Sequence, residues 1–248
     1  MLKGRTLLAV VPARGGSKEV PLKNIHPLQG IPLIGHAGAI VQELGYFDRA
    51  IVSTDHPEIA AVARAYGLDA PFMRPEALSG DWIGDHPVLH HALTEMERLD
   101  GRRYDILVML QPTSPLRKAA HVTAAVTTLI EGGWDAAWTV SKTNSRYHPL
   151  KQLTVASDGS LEYYDPRGRT VVARQQLTPV YHRNGAAYAV TRECLLTQQL
   201  IKGKCAAAVI INEPMVSIDT LEDFEAVEAL MHSSGSVSAE LKRERGTS

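Results

Sequence analysis

Arg14, Lys18 and Lys23 crowd into one Gly-containing stretch, Ala13-Arg14-Gly15-Gly16-Ser17-Lys18-Glu19-Val20-Pro21-Leu22-Lys23-Asn24, directly after the apolar run Leu7–Val11. That combination suits chemistry on a polyphosphate. Glycine lets backbone N–H groups approach phosphate oxygens, and fixed cations offset the charge that grows on a departing pyrophosphate. The stretch is neither Gly-x-x-x-x-Gly-Lys-Ser/Thr nor Gly-x-Gly-x-x-Gly, which separates it from the common mononucleotide and dinucleotide loops. Taken alone, it could also be a basic surface turn.

Further polar segments recur after other apolar runs. These are Val52-Ser53-Thr54-Asp55, Arg74-Pro75-Glu76 with Ser79-Gly80-Asp81, and Leu110-Gln111-Pro112-Thr113-Ser114-Pro115-Leu116-Arg117. Arg174-Gln175-Gln176, Arg183-Asn184-Gly185 and Ser217-Ile218-Asp219-Thr220 complete the set. Pro112 and Pro115 stiffen the Leu110–Arg117 segment and lower the cost of ordering it on binding.

The elements that must position these residues follow from hydrophobic periodicity. Leu7–Val11, Arg49–Ser53, Ile106–Leu110, Asp135–Val140, Ala186–Val190 and Ala207–Ile211 read as strands, most of them apolar on both faces as in a buried parallel sheet. Helical stripes lie between them: Leu33/Ile34/Ala37/Ile40/Val41/Leu44, Val88/Leu89/Ala92/Leu93/Met96, Val122/Ala125/Val126/Leu129/Ile130 and Leu221/Phe224/Val227/Leu230/Met231. This alternation predicts an α/β fold, a three-layer, doubly wound, mostly parallel sheet. Ligands on such sheets bind outside the carboxyl ends of the strands, where the Arg14–Asn24 stretch falls.

The rhythm breaks over residues 142–181, a polar excursion with a hairpin-like unit at Leu150–Tyr164 around Ser157-Asp158-Gly159-Ser160. One domain is therefore expected at 1–231, carrying an inserted arm at 142–181, with a frayed tail at 232–248. A formal charge of −1 removes any global electrostatic case for nucleic acid or a membrane surface. Cys194 and Cys205 lack metal-ligand spacing and read as free thiols. Without a signal peptide or a long apolar run, the chain reads as cytoplasmic. His36, His90 and His91 lack partners at metal or triad spacing and read as surface or core residues.

Taken in order, Ala-Arg-x-x-Ser-Lys-x-x-Pro-x-Lys-Asn, Ser-Thr-Asp, Gln-Pro-Thr-Ser-Pro-Leu-Arg, Arg-Gln-Gln-Leu, Asn-Gly-Ala-x-Tyr and Ile-Asp-Thr-x-x-Asp-Phe closely resemble the acylneuraminate cytidylyltransferases. The resemblance covers about residues 7 to 231. It implies a Rossmann-like nucleotide-diphospho-sugar transferase fold, Mg2+ as the metal, and transfer of CMP from CTP to the anomeric hydroxyl of a nonulosonic acid. It also implies a homodimer in which the arm completes the neighbour's sugar pocket. Ala13, Arg14, Gly15, Ser17, Lys18, Lys23 and Asn24 would hold phosphates and ribose, with Arg14, Lys18 and Lys23 catalytic. Arg74, Gly80, Asp81 and Asp85 would lie at the nucleotide, and Gln111, Thr113, Ser114, Arg174, Asn184 and Tyr188 at the sugar acid. Asp219 would hold the metal.

Several of these residues have a second reading in their own chemistry. Ser114 could cap the following helix, Tyr188 could be core, and Asp219 could cap the helix beginning near Leu221. Trp82 could cover a base or be a partly buried lid residue. The chain also departs from the family pattern. Ser217 replaces the first acid of Asp-Ile-Asp-Thr, Glu19 stands in place of a glycine, and Asp85 in place of a small hydroxyl residue; the latter two either face the cleft or turn outward. His182-Arg183 replaces Arg-Pro, leaving open which of the two faces substrate. The alternatives are activation of an eight-carbon acid and a nucleotide-sugar-binding regulatory protein with weakened chemistry.

Overall fold

Leu7 through Val11 are all fully buried, as a strand covered on both faces requires. The structure, a computed structural model, describes the backbone of residues 1–245 and the side chains of 1–233. Along the chain, β1 (Leu7–Pro12) leads into a small antiparallel pair, β2 (Pro27–Leu28) and β3 (Ile31–Pro32), then α1 (Leu33–Leu44) and β4 (Arg49–Ser53). Helices α2 (Pro57–Ala65) and α3 (Asp85–Asp100) precede β5 (Ile106–Met109), and α4 (Ala119–Gly132) precedes β6 (Ala136–Lys142). The hairpin β7 (Leu153–Val155) and β8 (Leu161–Tyr163) follows, then β9 (Tyr181–Thr191), α5 (Arg192–Leu196), β10 (Ala206–Ile211) and α6 (Leu221–Arg245).

Six strands form one sheet in the order β10-β6-β9-β5-β1-β4. Crossover helices make β4, β1 and β5 parallel, and β10 runs parallel to β6. Strand β9 is antiparallel to both β5 and β6, because the chain returns to it from the arm rather than through a crossover helix. The arm therefore leaves and re-enters the sheet at the rim formed by the carboxyl ends of β1, β4, β5 and β6.

Alternate residues of β1 serve opposite layers. Leu7, Ala9 and Val11 pack with Ile34 and Ala37 of α1, Ile59 of α2 and Val122 and Val126 of α4. Leu8 and Val10 face Leu89, Leu93 and Met96 of α3 and Leu195 of α5. A third cluster joins Phe224 and Val227 of α6 to Val20, Leu28, Leu33 and Ile218, so the last helix supplies the apolar pad beneath the first loop. Of the predicted stripe on this helix, Leu221 stays exposed.

The layers meet tightly at Gly38 in α1, where an added Cβ would lie 2.2 Å from the carbonyl oxygen of Tyr66. Gly38→Ala must push α1 away from the end of α2. The expected result is a loss of about 1–3 kcal/mol, read as a lowered thermal midpoint.

Where the sequence reading ends the ordered domain at residue 231, α6 runs on to Arg245 through strong helix formers such as Glu240, Leu241 and Lys242. Residues 246–248 of the expected tail lie outside those described. In the arm, β7 and β8 pair antiparallel as the turn residues predict. His148, buried at the arm's base, bonds Thr178 O through Nε2 and accepts from Leu150 N through Nδ1. Leu153, Val155 and Leu161 on the hairpin are exposed.

Candidate active site

The first loop is fixed at several points before any ligand arrives. Ala13 N donates to Ser53 O at 2.9 Å, and Gly15 N donates to Asp55 Oδ1 at 2.9 Å. A Cβ on Gly15 would sit 3.0 Å from His56 Cβ, so this position needs the smallest residue for its close approach. Asn24, buried, donates from Nδ2 to Arg14 O at 3.0 Å. Lys23 Nζ donates to Ile218 O and pairs with Asp219 Oδ1, both at 2.9 Å. Val20 anchors the loop's far end in the α6 cluster.

These constraints shape a cleft of about 560 Å³ at the carboxyl ends of β1 and β5. Arg14, Ser17, Lys18, Lys23, Asn24, Arg74, Asp85, Gln111, Thr113 and Asp219 line it, ten of the residues chosen from sequence. Ile83, Val88, Leu89 and Met109 give the cleft apolar ground. The α3 stripe assigned Val88 and Leu89 to the core alone, but their position in the first two turns also exposes them to the cleft.

Positive charge dominates one wall. Asp81, at the rim, pairs with both Arg14 Nη1 and Lys18 Nζ at 2.5 Å, bonds that hold its carboxyl below the ordinary range, Lys18 most strongly. Arg74 is buried, and its Nε and Nη2 have no hydrogen-bond partner among the described residues. Burial lowers its pKa, Asp55 at 3.9 Å opposes that shift, and Arg14 adds to it. Orphaned guanidinium donors of this kind are costly to leave unpaired, and Arg74 is itself one of the residues that line the cleft.

Both acidic departures are among the residues that line the cleft, Glu19 as an exposed residue of the first loop. Asp85 begins α3, and burial raises its carboxyl pKa against the pull of Arg183 at 3.7 Å. Arg183 also lies over the Trp138 ring at 5.7 Å, whereas His182 Nδ1 bonds Thr143 Oγ1 at the arm's base. Arg183, not His182, therefore leans toward the cleft. Trp82 is almost wholly exposed on the turn beside Asp81, outside any covered lid position.

Other chosen residues stand elsewhere. Ala13 is buried behind the loop, while Gly15 contributes backbone and Gly80 lies on the exposed rim. Ser114 Oγ donates to Asn184 O, Asn184 Nδ2 donates to Ser141 Oγ, and Asn184 Oδ1 accepts from Thr139 Oγ1. Tyr188 Oη accepts from Gly185 N at 2.8 Å, and burial raises its pKa. The polar atoms of Ser114, Asn184 and Tyr188 are thus spent bracing the joint between β5, β6 and β9 rather than forming the cleft wall. Arg174 lines a separate cavity of about 670 Å³ at the arm's base, beside Lys142 and Arg146.

Sequence reasoning missed Arg117. It is buried with no carboxylate partner among the described residues, and burial pushes its pKa down to about 9. Its guanidinium donates to the carbonyls of Gln111, Gly185 and Ala186, holding the Gln111 loop to β9. Its place at the end of a stiff Pro-containing motif was the available signal.

At the start of α6, Thr220 is the capping residue. Asp223 accepts from Thr220 N at 2.8 Å and its own N–H points to Thr220 Oγ1. That leaves the exposed Asp219 carboxylate to the cleft, with Lys23 on Oδ1. Ser217 Oγ lies 3.4 Å from Thr113 Oγ1. Among the described residues no three His, Cys, Asp or Glu side chains gather as metal ligands. The donor set fits a hard cation that takes one carboxylate and completes its shell with phosphate oxygens and water.

The chain matches the cytidylyltransferase family over residues 8–241. It is 30% identical over 224 residues to a pseudaminic acid cytidylyltransferase of Campylobacter jejuni, covering 90% of this chain and 95% of that one. A CMP-N,N'-diacetyllegionaminic acid synthase of Legionella pneumophila is 30% identical over 227 residues, covering 91% and 96%. Among solved structures, a CMP:2-keto-3-deoxy-manno-octonic acid synthetase complexed with CTP superposes with a TM-score of 0.70 at 19% identity, covering 92% of this chain and 99% of that one. That likeness establishes a shared fold. Together with the motifs that line the cleft, these matches show that the chain is a nucleotidyltransferase and belongs to the cytidylyltransferase family.

Proposed function

We propose that this chain transfers CMP from CTP to the anomeric hydroxyl of a nonulosonic acid, releasing pyrophosphate. The observation that carries the reading is the convergence of Arg14, Lys18, Lys23 and the unsatisfied Arg74 on one cleft. The relatives named for pseudaminic and legionaminic acids support a nine-carbon acceptor. In this reading the triphosphate takes Asp81's place on Arg14 and Lys18, and Arg74 meets the cytosine. Gln111 and Thr113, on the opposite wall, orient the sugar acid so that its hydroxyl lies in line with the α-phosphorus. As the bond to the bridging oxygen breaks, charge accumulates on pyrophosphate, and Lys23 and Lys18 interact more strongly with it than with the ground state. Asp219 would hold Mg2+, which when bound supplies further positive charge to the phosphoryl oxygens.

The decisive experiment incubates purified protein with CTP and a panel of eight- and nine-carbon 2-keto acids, reading pyrophosphate release and product mass. CMP-linked nonulosonic acid is the expected product. Preference for an eight-carbon acid would move the substrate class, and nucleotide binding without turnover on any acid would favour the regulatory alternative.

Asp219→Asn keeps an acceptor for Lys23 but removes the negative charge. The Mg2+ concentration for half-maximal rate is expected to rise roughly tenfold, the loss of about one charge-assisted contact. An unchanged metal titration would remove Asp219 from the metal site.

The arm is read as a dimerisation element. Leu153, Val155 and Leu161 expose apolar surface on a two-stranded unit, which is marginal unless packed on something larger. A second copy supplies that packing, and the Lys142, Arg146 and Arg174 group then stands ready to meet a carboxylate in the partner's cleft. Deleting residues 150–164 is expected to give a monomer that binds CTP but turns over sugar acid poorly. Sedimentation of the full-length protein as an active monomer would overturn this assignment.

A further inference from the structure

The segment Val52–Asp55 has no direct part in the chemistry proposed for the cleft, yet it touches both stretches that face the nucleotide. Strand β4 ends at Ser53, whose carbonyl accepts from Ala13 N where β1 runs out. Two residues on, Asp55 Oδ1 accepts from Gly15 N at 2.9 Å. From the other side, Thr54 O accepts from Arg74 N at 2.8 Å, and Arg74 Nη2 lies 3.9 Å from the same Asp55 oxygen. One carboxylate oxygen thus faces the backbone of the phosphate loop and a buried guanidinium at once.

We infer that Asp55 is a positioning residue that fixes the phosphate loop and Arg74 relative to each other, so that a single nucleotide meets both. The inference rests on reading the cleft as the CTP site. Asp55 does not line that cleft and so acts through its two partners. The contact to Gly15 is a charge-assisted hydrogen bond, whereas the separation from Arg74 is too long for one and acts as a charge interaction. Among the described residues Asp55 is also the one carboxylate within ion-pair distance of Arg74.

The two contacts can be separated by substitution. Asp55→Asn keeps an oxygen acceptor for Gly15 N but removes the charge opposite Arg74; Asp55→Ala removes both. Calorimetric binding of two probes reads them independently, with tripolyphosphate reporting on the loop and CMP on the Arg74 side. For Asp55→Asn, CMP affinity is expected to fall about tenfold while tripolyphosphate stays within about twofold of wild type. Asp55→Ala is expected to weaken both probes by about tenfold or more. In an Arg74→Ala background, Asp55→Asn should cost CMP binding little further. Equal loss of both probes in Asp55→Asn, or no loss in either variant, overturns the inference. If Asp55→Ala does not fold, the probe selectivity of Asp55→Asn decides alone. Wild-type protein that binds neither probe would instead overturn the nucleotide reading, and this inference with it.

Discussion

Arg74→Ala is expected to weaken CTP binding by about 100-fold or more, with the thermal midpoint staying within a few degrees of wild type. The asymmetry follows from where the side chain spends its donors. In the free protein, Arg74 is 6% exposed, yet among the described residues Nε and Nη2 find no acceptor, so its burial contributes cost rather than stability. A bound nucleotide can supply acceptors where the Arg74 guanidinium lines the cleft, and two charge-assisted hydrogen bonds made only in the complex account for the factor. Arg74→Lys keeps the charge but not the planar fork, and should recover only part of the affinity. Calorimetric titration with CTP beside a thermal melt checks both halves. A variant that melts early but binds CTP normally when folded would return Arg74 to a packing role.

Lys23→Ala should act on rate rather than on binding. Its side chain is 14% exposed and its ammonium is already held by Ile218 O and Asp219, so it is positioned before the reaction and reorganises little as charge develops. Removing one such preorganised donor is expected to lower kcat by about 100- to 1,000-fold, with a much smaller change in KM for CTP. Single-turnover measurements at saturating CTP give the comparison. A rise in KM with kcat intact would make Lys23 a uniform binding contact, which the proposed transition-state role does not allow.

Much of this site was legible because cation-rich loops after buried strands carry their chemistry in residue type. Arg14, Lys18 and Lys23 could be chosen that way, Ser17, Arg74 and Asp219 through the resemblance of their motifs, and all six line the cleft. Side-chain direction was less legible. Asn184 and Tyr188 sit in β9, where polar residues look the same in sequence whether they face a ligand or brace a strand joint. Strand polarity was hidden too, because β9 is apolar on both faces over Ala186–Val190 and such a run reads alike in either direction. Helix α2 went unread although Pro57 stands at its first turn and Ile59, Ala60 and Ala63 fall on one face. Arg117 was missed because arginine is ordinarily a surface residue, and only three convergent carbonyls make its burial tolerable.

The apolar pad under the first loop sets an order on synthesis. Lys23 and Ile218 are 195 residues apart, and Val20, Leu28 and Leu33 wait for Phe224 and Val227 to cover them. A chain emerging from the ribosome can complete its sheet once β10 is out, while the loop that began the sequence still lacks its floor and its lysine's anchor. Because a domain folds as a unit, catalytic competence waits for the last helix, which closes over the first loop. The earliest residues translated are thus among the last to reach working geometry, and an interrupted chain would carry a sheet with an unfinished loop.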